Sequence, residues 1–314
     1  MPRIVTIGDI NVDLLMPIKK MPRPGKQVMA RDFQMHGGGC SANFSLSCKR
    51  LGMDIHLFGK IGDDMFGRYV LTLLDDDMVD TSNVLITDKK TGVTFAMIQG
   101  KERSFITYRG ENATYSLDDI DVSKIHGDIV HLPSYFLMDG LRCDYVKLID
   151  MVHAAGIQVS FDTGWDPRGF TDETVGPLMK ILPKVDVFLP NIDEARGILR
   201  LGRDIKPEKA AEKLVDIGVK TAVVKLGEKG CWAADKDTLE YVPAFKVKVV
   251  DSTGAGDNFS AGFISGYISG KTLRQSARIG SAAAALKIMG IGWPAYPTRS
   301  QVDEFLRTKG LEGL

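Results

Sequence analysis

The sequence predicts an α/β protein in which a mostly parallel central sheet is covered by helices on both faces. Two observations predict this class: short apolar runs recur along the chain, and helical patterns separate them. The apolar runs cover residues 4–7, 55–58, 129–132, 158–161, 185–189 and 222–226. The clearest helical patterns between them cover residues 143–155 and 207–217. Ligands of such sheets bind at the carboxyl ends of the strands, so the residues that follow the runs are candidates for a site.

The composition fits one large domain, which we predict to span residues 1–314. Of the 314 residues, 44% are hydrophobic and 25% are charged. Lys plus Arg and Asp plus Glu both number 40, so no strong electrostatic field favours nucleic acid or an anionic membrane surface as a partner.

Cysteine usage and the N-terminal sequence indicate the compartment. The cysteines, Cys40, Cys48, Cys143 and Cys231, form no CxxC pair, which is typical of free thiols in a reducing environment. The chain begins without the features of a signal peptide, and no apolar run reaches the roughly 18 residues of a membrane span. We therefore expect a cytoplasmic protein with no membrane partner.

Two segments predict β structure outside the main sheet. Residues 16–33 contain Pro17, Pro22 and Pro24 and alternate polar with apolar side chains, which favours a projecting β segment. Residues 93–98 and 104–108 predict a hairpin with its turn at 100–102. Residues 59–64 lie between a strand and a helix and are predicted to form a loop.

The most informative stretch is DSTGAGDNFSA at residues 251–261. The apolar run 245–250 before it predicts a strand, and the spacing of Phe259, Phe263 and Tyr267 predicts a helix. The glycines would then lie at a helix N-terminus, where free N–H groups and the helix dipole form an anion site. Small residues let the backbone approach a phosphate closely.

An aspartate at an anion site needs an explanation, because a carboxylate repels phosphate. Asp257 makes chemical sense as the acceptor of a proton from a hydroxyl that attacks a phosphoryl group. Gly254, Ala255 and Gly256 would then bind the transferred charge. The alternative is a glycine-rich turn in which Asp257 caps the helix. These residues alone leave both interpretations open.

Polar residues follow the other apolar runs as well. They are Asp9, Asp13, Asp162, Asn191, Asp193, Glu194 and the segment 225–230. Each has an ordinary interpretation, and residues 191–194 would make a good helix N-cap with acids in the first turn. Their common position at strand ends favours one shared site. A second glycine-rich turn, 36–39, leads into a predicted helix that stops at Gly52.

These segments together resemble the ribokinase-like (PfkB) carbohydrate kinase family over nearly the whole chain. DSTGAGDNFSAGF resembles its C-terminal signature without departure. GGCSANFSLSCKRLG resembles its N-terminal signature, except that Ser41 stands where Gly, Ala or Pro is usual. NIDE at 191–194 resembles the family's N-x-x-E, and KLGEKG at 225–230 resembles its nucleotide loop.

The resemblance implies a ribokinase-like three-layer sandwich with a small β-sheet lid formed by about residues 12–35 and 92–110. In relatives the lid covers the sugar and often pairs with a second lid, so we expect a homodimer through the lid. Excluding water suits a kinase, because water competes with the sugar hydroxyl as acceptor. The implied substrates are a small-molecule sugar and ATP, with Mg²⁺ as cofactor.

Site roles carry over residue by residue. Asp257 is implied as the catalytic base for a primary hydroxyl, with Gly254, Ala255 and Gly256 as the anion hole. The implied sugar contacts are Asp13, Gly38, Gly39 and Asn43.

The nucleotide side of the site carries over in the same way. Asn191 and Glu194 match positions near the magnesium and phosphates, with Glu194 acting through water. The residues implied to border ATP further on are Lys225, Gly227 and Gly230. Asp251 and Thr253 match a loop that holds a monovalent cation, often K⁺, in many relatives.

The sugar itself stays open. Tyr108-Arg109 resembles ketosugar and ketodeoxyonate kinases, where Arg109 would meet a carboxylate or a polar sugar end, whereas Asn112-Ala113 resembles ribokinases. Arg109 is equally explained as a solvated hairpin residue. Segment 162–168 resembles the D-x-N-x-R of fructokinase-like members, but Gly164 replaces the Asn and the Arg is displaced to Arg168.

Functions other than a sugar kinase have less support in the sequence. A nucleoside kinase of the same fold is the nearest alternative, with Phe33 and Phe105 stacking on a base. A dinucleotide-dependent oxidoreductase is disfavoured, because Gly8-Asp9 lacks the G-x-G-x-x-G fingerprint. A non-catalytic sugar sensor would not need Asp257. Metal-dependent hydrolysis has no support, because no two histidines have the spacing of metal ligands.

Overall fold

The computed structural model describes residues 2–100 and 102–311. In chain order its strands are β1 (Arg3–Ile7), β2 (Asn11–Pro17), β3 (Gln34–Gly38), β4 (Asp54–Gly62), β5 (Asp80–Thr87), β6 (Gly92–Gln99), β7 (Glu102–Tyr108), β8 (Ile129–Leu132), β9 (Gln158–Phe161), β10 (Val187–Phe188), β11 (Thr221–Lys225), β12 (Cys231–Asp235) and β13 (Leu239–Val242). Its helices are α1 (Cys40–Arg50), α2 (Met65–Asp76), α3 (Tyr145–Ala154), α4 (Asp172–Val175), α5 (Leu178–Ile181), α6 (Ile192–Leu199), α7 (Pro207–Asp216), α8 (Ala255–Ile268), α9 (Leu273–Lys287) and α10 (Arg299–Thr308).

The large sheet has nine strands among the described residues, in the order β13-β12-β11-β10-β9-β8-β1-β4-β5. The β11–β12 and β12–β13 pairs are antiparallel, and the other pairs are parallel. Successive strand residues enter different cores: Val223 lies in one buried cluster and Val224 in the other. Because side chains alternate along a strand, a core lies on each face of the sheet. The predicted α/β class with a mostly parallel, helix-covered sheet is confirmed.

A second, smaller sheet has the order β3-β2-β6-β7. After β1 the chain leaves the large sheet and enters the small sheet as β2. The site residues that follow β1 therefore lie where the two sheets meet. Register places Asp13 beside His36 on one side and Thr94 on the other. The predicted hairpin is confirmed as β6 and β7, although Glu102 belongs to β7 and Lys101 lies outside the described residues.

Three local predictions are wrong. Residues 16–33 are mostly irregular, with β2 reaching Pro17 and a single bridge between Ile18 and Ala30. Segment 59–64 is not all loop, because β4 continues to Gly62 along β5, a strand that the sequence pattern did not predict. Segment 245–250 joins neither sheet. A strand needs a neighbour to pair with, and local sequence does not supply one.

Both predicted helices that follow glycines are present, but the predicted turn at 36–39 is wrong for residues 36–38, which belong to strand β3 because they pair with β2. Gly39 precedes α1 with φ 89°, and Gly254 precedes α8 with φ 75°, a left-handed conformation that favours glycine. Helices α8 and α9 pack closely, since a Cβ at Gly262 would lie 2.9 Å from the Cα of Gly280. Within the described part of the chain, no helix combines the length and apolar character needed to cross a membrane.

Candidate active site

Asp257 lies in the first turn of α8, at the helix end that Gly254 opens. Its carboxylate accepts a hydrogen bond from Asn43, with 2.8 Å between Nδ2 and Oδ2. Burial raises the pKa of Asp257 to about 7, and the negative charge of Asp162 acts in the same direction. The Asn43 bond and the Lys225 charge act against this rise in pKa. A pKa raised toward neutral pH suits a carboxyl that accepts a proton.

Asn43 is held in one orientation by Trp293. The indole Nε1 donates to Asn43 Oδ1 at 2.7 Å, and an indole N–H can only donate. The amide oxygen must therefore face Trp293 and the amide nitrogen must face Asp257. Asn43 and Trp293 also line one cavity with Asp13.

Lys225, at the end of β11, brings a positive charge to the same helix start. Its Nζ lies 2.7 Å from Asp162 Oδ2, and a Cβ built at Gly256 would be 3.6 Å from this nitrogen. Burial alone would lower the pKa of Lys225, but the carboxylates of Asp162 and Glu194 outweigh it and raise the pKa. The amine stays protonated beside the predicted anion hole.

Asn191 and Glu194 form the capping box of α6. Asn191 Oδ1 accepts from the N–H groups of Asp193 and Glu194, both at 2.9 Å, and Glu194 Oε2 accepts from Asn191 N at 2.7 Å. The capping interpretation is therefore confirmed for both side chains. Burial, followed by the charge of Asp162, raises the pKa of Glu194 to about 7. Glu194 Oε1 takes no part in the capping box.

Asp13 and the glycines of β3 are in contact. A Cβ at Gly38 would overlap the Asp13 carboxyl, so only glycine leaves room for it. Burial raises the pKa of Asp13 to about 7, and the carboxylates of Asp9, Asp257 and Asp251 add to the effect. Gly39, in turn, packs against the carbonyl of Asp9. The predicted sugar-contacting set is thus one cluster next to Asp257.

Gly227 and Gly230 shape the turn after β11. Both have positive φ, 60° and 104°, and a Cβ at Gly230 would overlap the carbonyl oxygen of Val242. The turn returns the chain to β12 and leaves its tip, Gly227 to Lys229, exposed. Lys225 and this turn therefore form one edge of the site.

One of the two predicted monovalent-cation residues, Asp251, contacts a lysine. Lys287 Nζ lies 2.9 Å from Asp251 Oδ2 and 3.1 Å from the Asp251 carbonyl oxygen, and both side chains are buried. Thr253 N donates to Asp251 Oδ1 at 2.9 Å. Because an ammonium already contacts these two oxygens of Asp251, Asp251 does not fit a monovalent metal ion in this arrangement.

Arg109 is not brought to the cavity that Asp13 and Asn43 line. Its guanidinium pairs with Asp139, whose other oxygen lies 2.5 Å from Arg142. Asn112 fixes this segment by accepting from Ile10 N at 3.0 Å and donating to the Arg109 carbonyl at 3.0 Å. Two arginines share one carboxylate, so the group carries net positive charge.

Sequence reasoning missed three residues near the site: Trp293, Tyr296 and Lys287. A signal existed only for Lys287, which lies four residues after Ala283 on the buried face of α9. A lysine on an apolar helical face requires a buried partner. Nothing in the local pattern around Trp293 indicates that it bonds to a residue 250 positions away.

Comparison with known proteins shows the family to which this chain belongs. The family model described as pfkB family carbohydrate kinase matches residues 1–293. An uncharacterized sugar kinase of Archaeoglobus fulgidus is 33% identical over 76% of this chain and 93% of its own length. A 5-dehydro-2-deoxygluconokinase of Geobacillus thermodenitrificans is 28% identical, covering 96% of this chain and 92% of that protein.

The fold also matches a solved kinase structure. Arabidopsis thaliana ribokinase, in complex with ribose and ATP, superposes with a TM-score of 0.83 and 26% identity over 98% of this chain and 99% of that one. The ribokinase-like fold expected from the sequence motifs is therefore confirmed. The chain belongs to the pfkB family of carbohydrate kinases and is a phosphotransferase with an alcohol group as acceptor.

Proposed function

We propose that this chain transfers the γ-phosphoryl group of ATP to a primary hydroxyl of a small sugar, with Asp257 as general base. One observation carries the proposal: the Asp257 carboxylate and the Lys225 ammonium converge on the N-terminus of α8. The carboxylate accepts the hydroxyl proton, and the ammonium and helix N-terminus stabilise the charge on the transferred group.

The position of residues 254–256 at the N-terminus of α8 supports their role as the anion hole. The Ala255 N–H donates to the carbonyl of Ser252 at 3.2 Å. We therefore assign the binding of the transferred group mainly to the backbone amides that follow Ala255, with Gly256 leaving space for the group and Gly254 providing the left-handed turn before the helix. The positive end of the α8 dipole favours negative charge at the same place.

The nucleotide lies on the Lys225 side of the site in this proposal. Asn191, Lys225 and the turn with Gly227 and Gly230 would border the phosphates, and Glu194 would accept a hydrogen bond from a water on Mg²⁺. No group of three or more His, Cys, Asp or Glu side chains within residues 2–100 and 102–311 could hold a metal ion. Mg²⁺ often keeps several waters and binds substrate phosphates, so a site with the single carboxylate of Glu194 fits this ion.

The sugar lies on the other side, against Asp13, Gly38, Gly39 and Asn43. A carboxylate accepts from vicinal hydroxyls, and an amide both donates and accepts. Arg109 acts on the sugar only if it leaves Asp139. The net positive charge of the Arg109–Asp139–Arg142 group keeps both neutral sugars and sugar acids as candidates.

The small sheet is the proposed lid, and its outer face is the proposed dimer surface. Phe95 pairs with Ile106, and Tyr108 lies on the same face; they are 37%, 60% and 56% exposed. This face is opposite the one that carries Asp13. A second copy would bury these side chains, so sedimentation velocity should show a dimer that Ile106→Asp dissociates. A monomeric parent protein at micromolar concentration would rule this surface out.

The nucleoside kinase alternative loses its specific support. Phe33 precedes β3, and Phe105 lies on β7, at the opposite edge of the small sheet. Three strand spacings separate these edges by about 14 Å. Two rings that stack on both faces of a base lie only about 7 Å apart. Phe33 and Phe105 therefore do not form a base sandwich in this arrangement.

The test is release of ADP from Mg²⁺-ATP across a panel of acceptors. The panel contains ribose, fructose, 2-keto-3-deoxygluconate, 5-dehydro-2-deoxygluconate, a sulfonated ketose, adenosine, inosine and cytidine. We expect turnover of one sugar and its loss in Asp257→Asn. Turnover of nucleosides alone would replace this proposal with the nucleoside kinase.

A further inference from the structure

Lys287 is a buried charge that the proposed reaction does not use. It is the last residue of α9 and is 1% exposed. Its ammonium contacts two oxygens of one residue, the carboxylate and the carbonyl of Asp251, at 2.9 and 3.1 Å. A buried ammonium costs free energy unless oxygens replace its water, and Asp251 supplies both a charge and a dipole.

Asp251 begins the loop that ends in the proposed anion hole. Its Oδ1 accepts from Thr253 N, and the N–H groups of Val250 and Asp251 donate to the Ile288 carbonyl at 2.7 and 3.2 Å. Gly254 follows and starts α8. The position of the α8 N-terminus therefore depends on how this loop is held to the end of α9.

A carboxylate and a carbonyl facing one buried point are the ligands that hard cations take in proteins. Here a covalently attached ammonium contacts both of them. The ammonium carries one positive charge, as a monovalent metal ion would, and dialysis cannot remove it. The end of a helix also favours positive charge, because the dipole of α9 is negative there.

We propose that Lys287 is the built-in cation of this loop: a positioning residue that holds residues 251–254 in place and makes the enzyme independent of K⁺. The inference rests on the proposed function only for what the loop does during phosphoryl transfer. The binding of a cation can be tested without any substrate.

The first experiment is thermal unfolding in tetramethylammonium chloride, with KCl replacing it at constant ionic strength. The parent protein should show no K⁺-specific shift in Tm. Lys287→Ala leaves a cavity beside Asp251, so 100 mM K⁺ should raise its Tm by about 4 °C or more. Lys287→Met fills the same volume without charge and should show no shift. A K⁺-specific rise in the parent protein would overturn the proposal, and so would the absence of a rise in a folded Lys287→Ala.

The second experiment measures kcat in the same salts once an acceptor is known. The parent kcat should change less than about twofold between K⁺ and tetramethylammonium. Lys287→Ala should lose about tenfold or more in tetramethylammonium and recover with K⁺ or NH₄⁺, whereas Lys287→Met should not recover. A parent enzyme that requires K⁺, or a fully active Lys287→Met, would overturn the inference. A panel with no turnover would count against the proposed function alone, because the unfolding result does not depend on it.

Discussion

The side-chain amide of Asn43 donates a hydrogen bond to the carboxylate of Asp257 across 2.8 Å, joining residues 214 positions apart. Because Trp293 Nε1 donates to the oxygen of the same amide at 2.7 Å, a flip of the amide would lose both bonds. The base therefore meets a donor of fixed orientation. This chain of three residues explains how α1 and the segment after α9 affect a carboxylate on α8.

Replacing Trp293 with Phe should raise the pH at which the enzyme reaches half of its maximal kcat/KM. An aromatic ring is kept, but the N–H donor that orients Asn43 is lost, so the hydrogen bond to ionised Asp257 weakens. A bond to a charged group contributes roughly 1.5 kcal/mol or more, which corresponds to about one pH unit and a roughly tenfold loss at neutral pH. Trp165→Phe, at an exposed indole, is the control and should leave the profile unchanged. An unshifted midpoint in Trp293→Phe would contradict the orienting role.

The pH profile of the parent enzyme should rise with pH and level off above about 7. Asp257 must be ionised to accept a proton, and its pKa is raised to about 7 by burial. Activity is therefore lost as the pH falls below that value. Asp257→Asn should lower kcat by about 10²–10⁴-fold and flatten the profile. Initial rates of ADP release between pH 5.5 and 9 check this, and a midpoint near 4 would show that the carboxyl that limits the rate is not a buried one.

Ionisation of Asp257 should also lower the free energy of unfolding. Its pKa is raised on folding, from 3.8 to about 7, so the folded protein binds the proton more tightly and stability falls as pH rises through that window. Above pH 7 Asp257 is ionised in both the folded and the unfolded protein, so the full loss of stability is present. Asp257→Asn should therefore raise Tm at pH 8 by about 4 °C and change it little at pH 4. An equal gain at both pH values would point to packing rather than charge.

The sequence predicted the parts of this site that are local and missed those that join distant segments. The turn at Gly254, the helix after it and Asp257 are consecutive, and each has a pattern. The bond from Trp293 to Asn43 spans 250 positions, and no local pattern indicates it. The place of Lys287 on the buried face of α9 indicates a buried partner, but no local pattern indicates that this partner is Asp251, 36 positions away. For the same reason segment 245–250 looked like a strand: its apolar residues suit one, but Val249 and Val250 are 60% and 50% exposed and have no neighbouring strand.

Replacing Lys225 with Met should slow turnover far more than it weakens sugar binding. The ammonium lies beside Gly256 and acts on charge that develops during transfer, so kcat should fall by about 10²-fold or more while KM for the sugar changes little. Lys229→Met, in the exposed turn of the same loop, is the matched control and should keep most of the activity. A loss seen only as a raised sugar KM would contradict this role.

The same substitution separates catalysis from stability. Without Lys225 the half-buried carboxylate of Asp162, which is 13% exposed, loses its charged partner, at a cost of about 1–3 kcal/mol. Adding Asp162→Asn removes that charge and should restore Tm without restoring kcat. If the double variant regained activity, Lys225 would act by neutralising Asp162 rather than by stabilising the transferred phosphoryl group.

Gly254→Ala should destabilise the protein more than the same substitution at Gly52, a glycine with a similar φ angle. Gly254 and Gly52 have φ values of 75° and 82°, so alanine meets the same conformational cost of about 1 kcal/mol at both. A Cβ at Gly52 would have nothing within 4 Å, whereas a Cβ at Gly254 would overlap the buried hydroxyl of Tyr296. Urea unfolding should therefore show Gly254→Ala to be about 1–3 kcal/mol less stable than Gly52→Ala.

Removing the Tyr296 hydroxyl should reduce the extra loss of stability that Gly254→Ala shows relative to Gly52→Ala. With Tyr296→Phe the nearest ring atom would be the Cζ, at 3.3 Å from the new Cβ, a tight contact that a small shift accommodates. In a double-mutant cycle, Gly254→Ala should cost less in the Tyr296→Phe background, with a coupling of about 1 kcal/mol or more. The pair Gly52→Ala and Tyr296→Phe should be additive. Equal costs of Gly254→Ala in both backgrounds would mean that backbone strain alone, and not Tyr296, requires glycine at the start of α8.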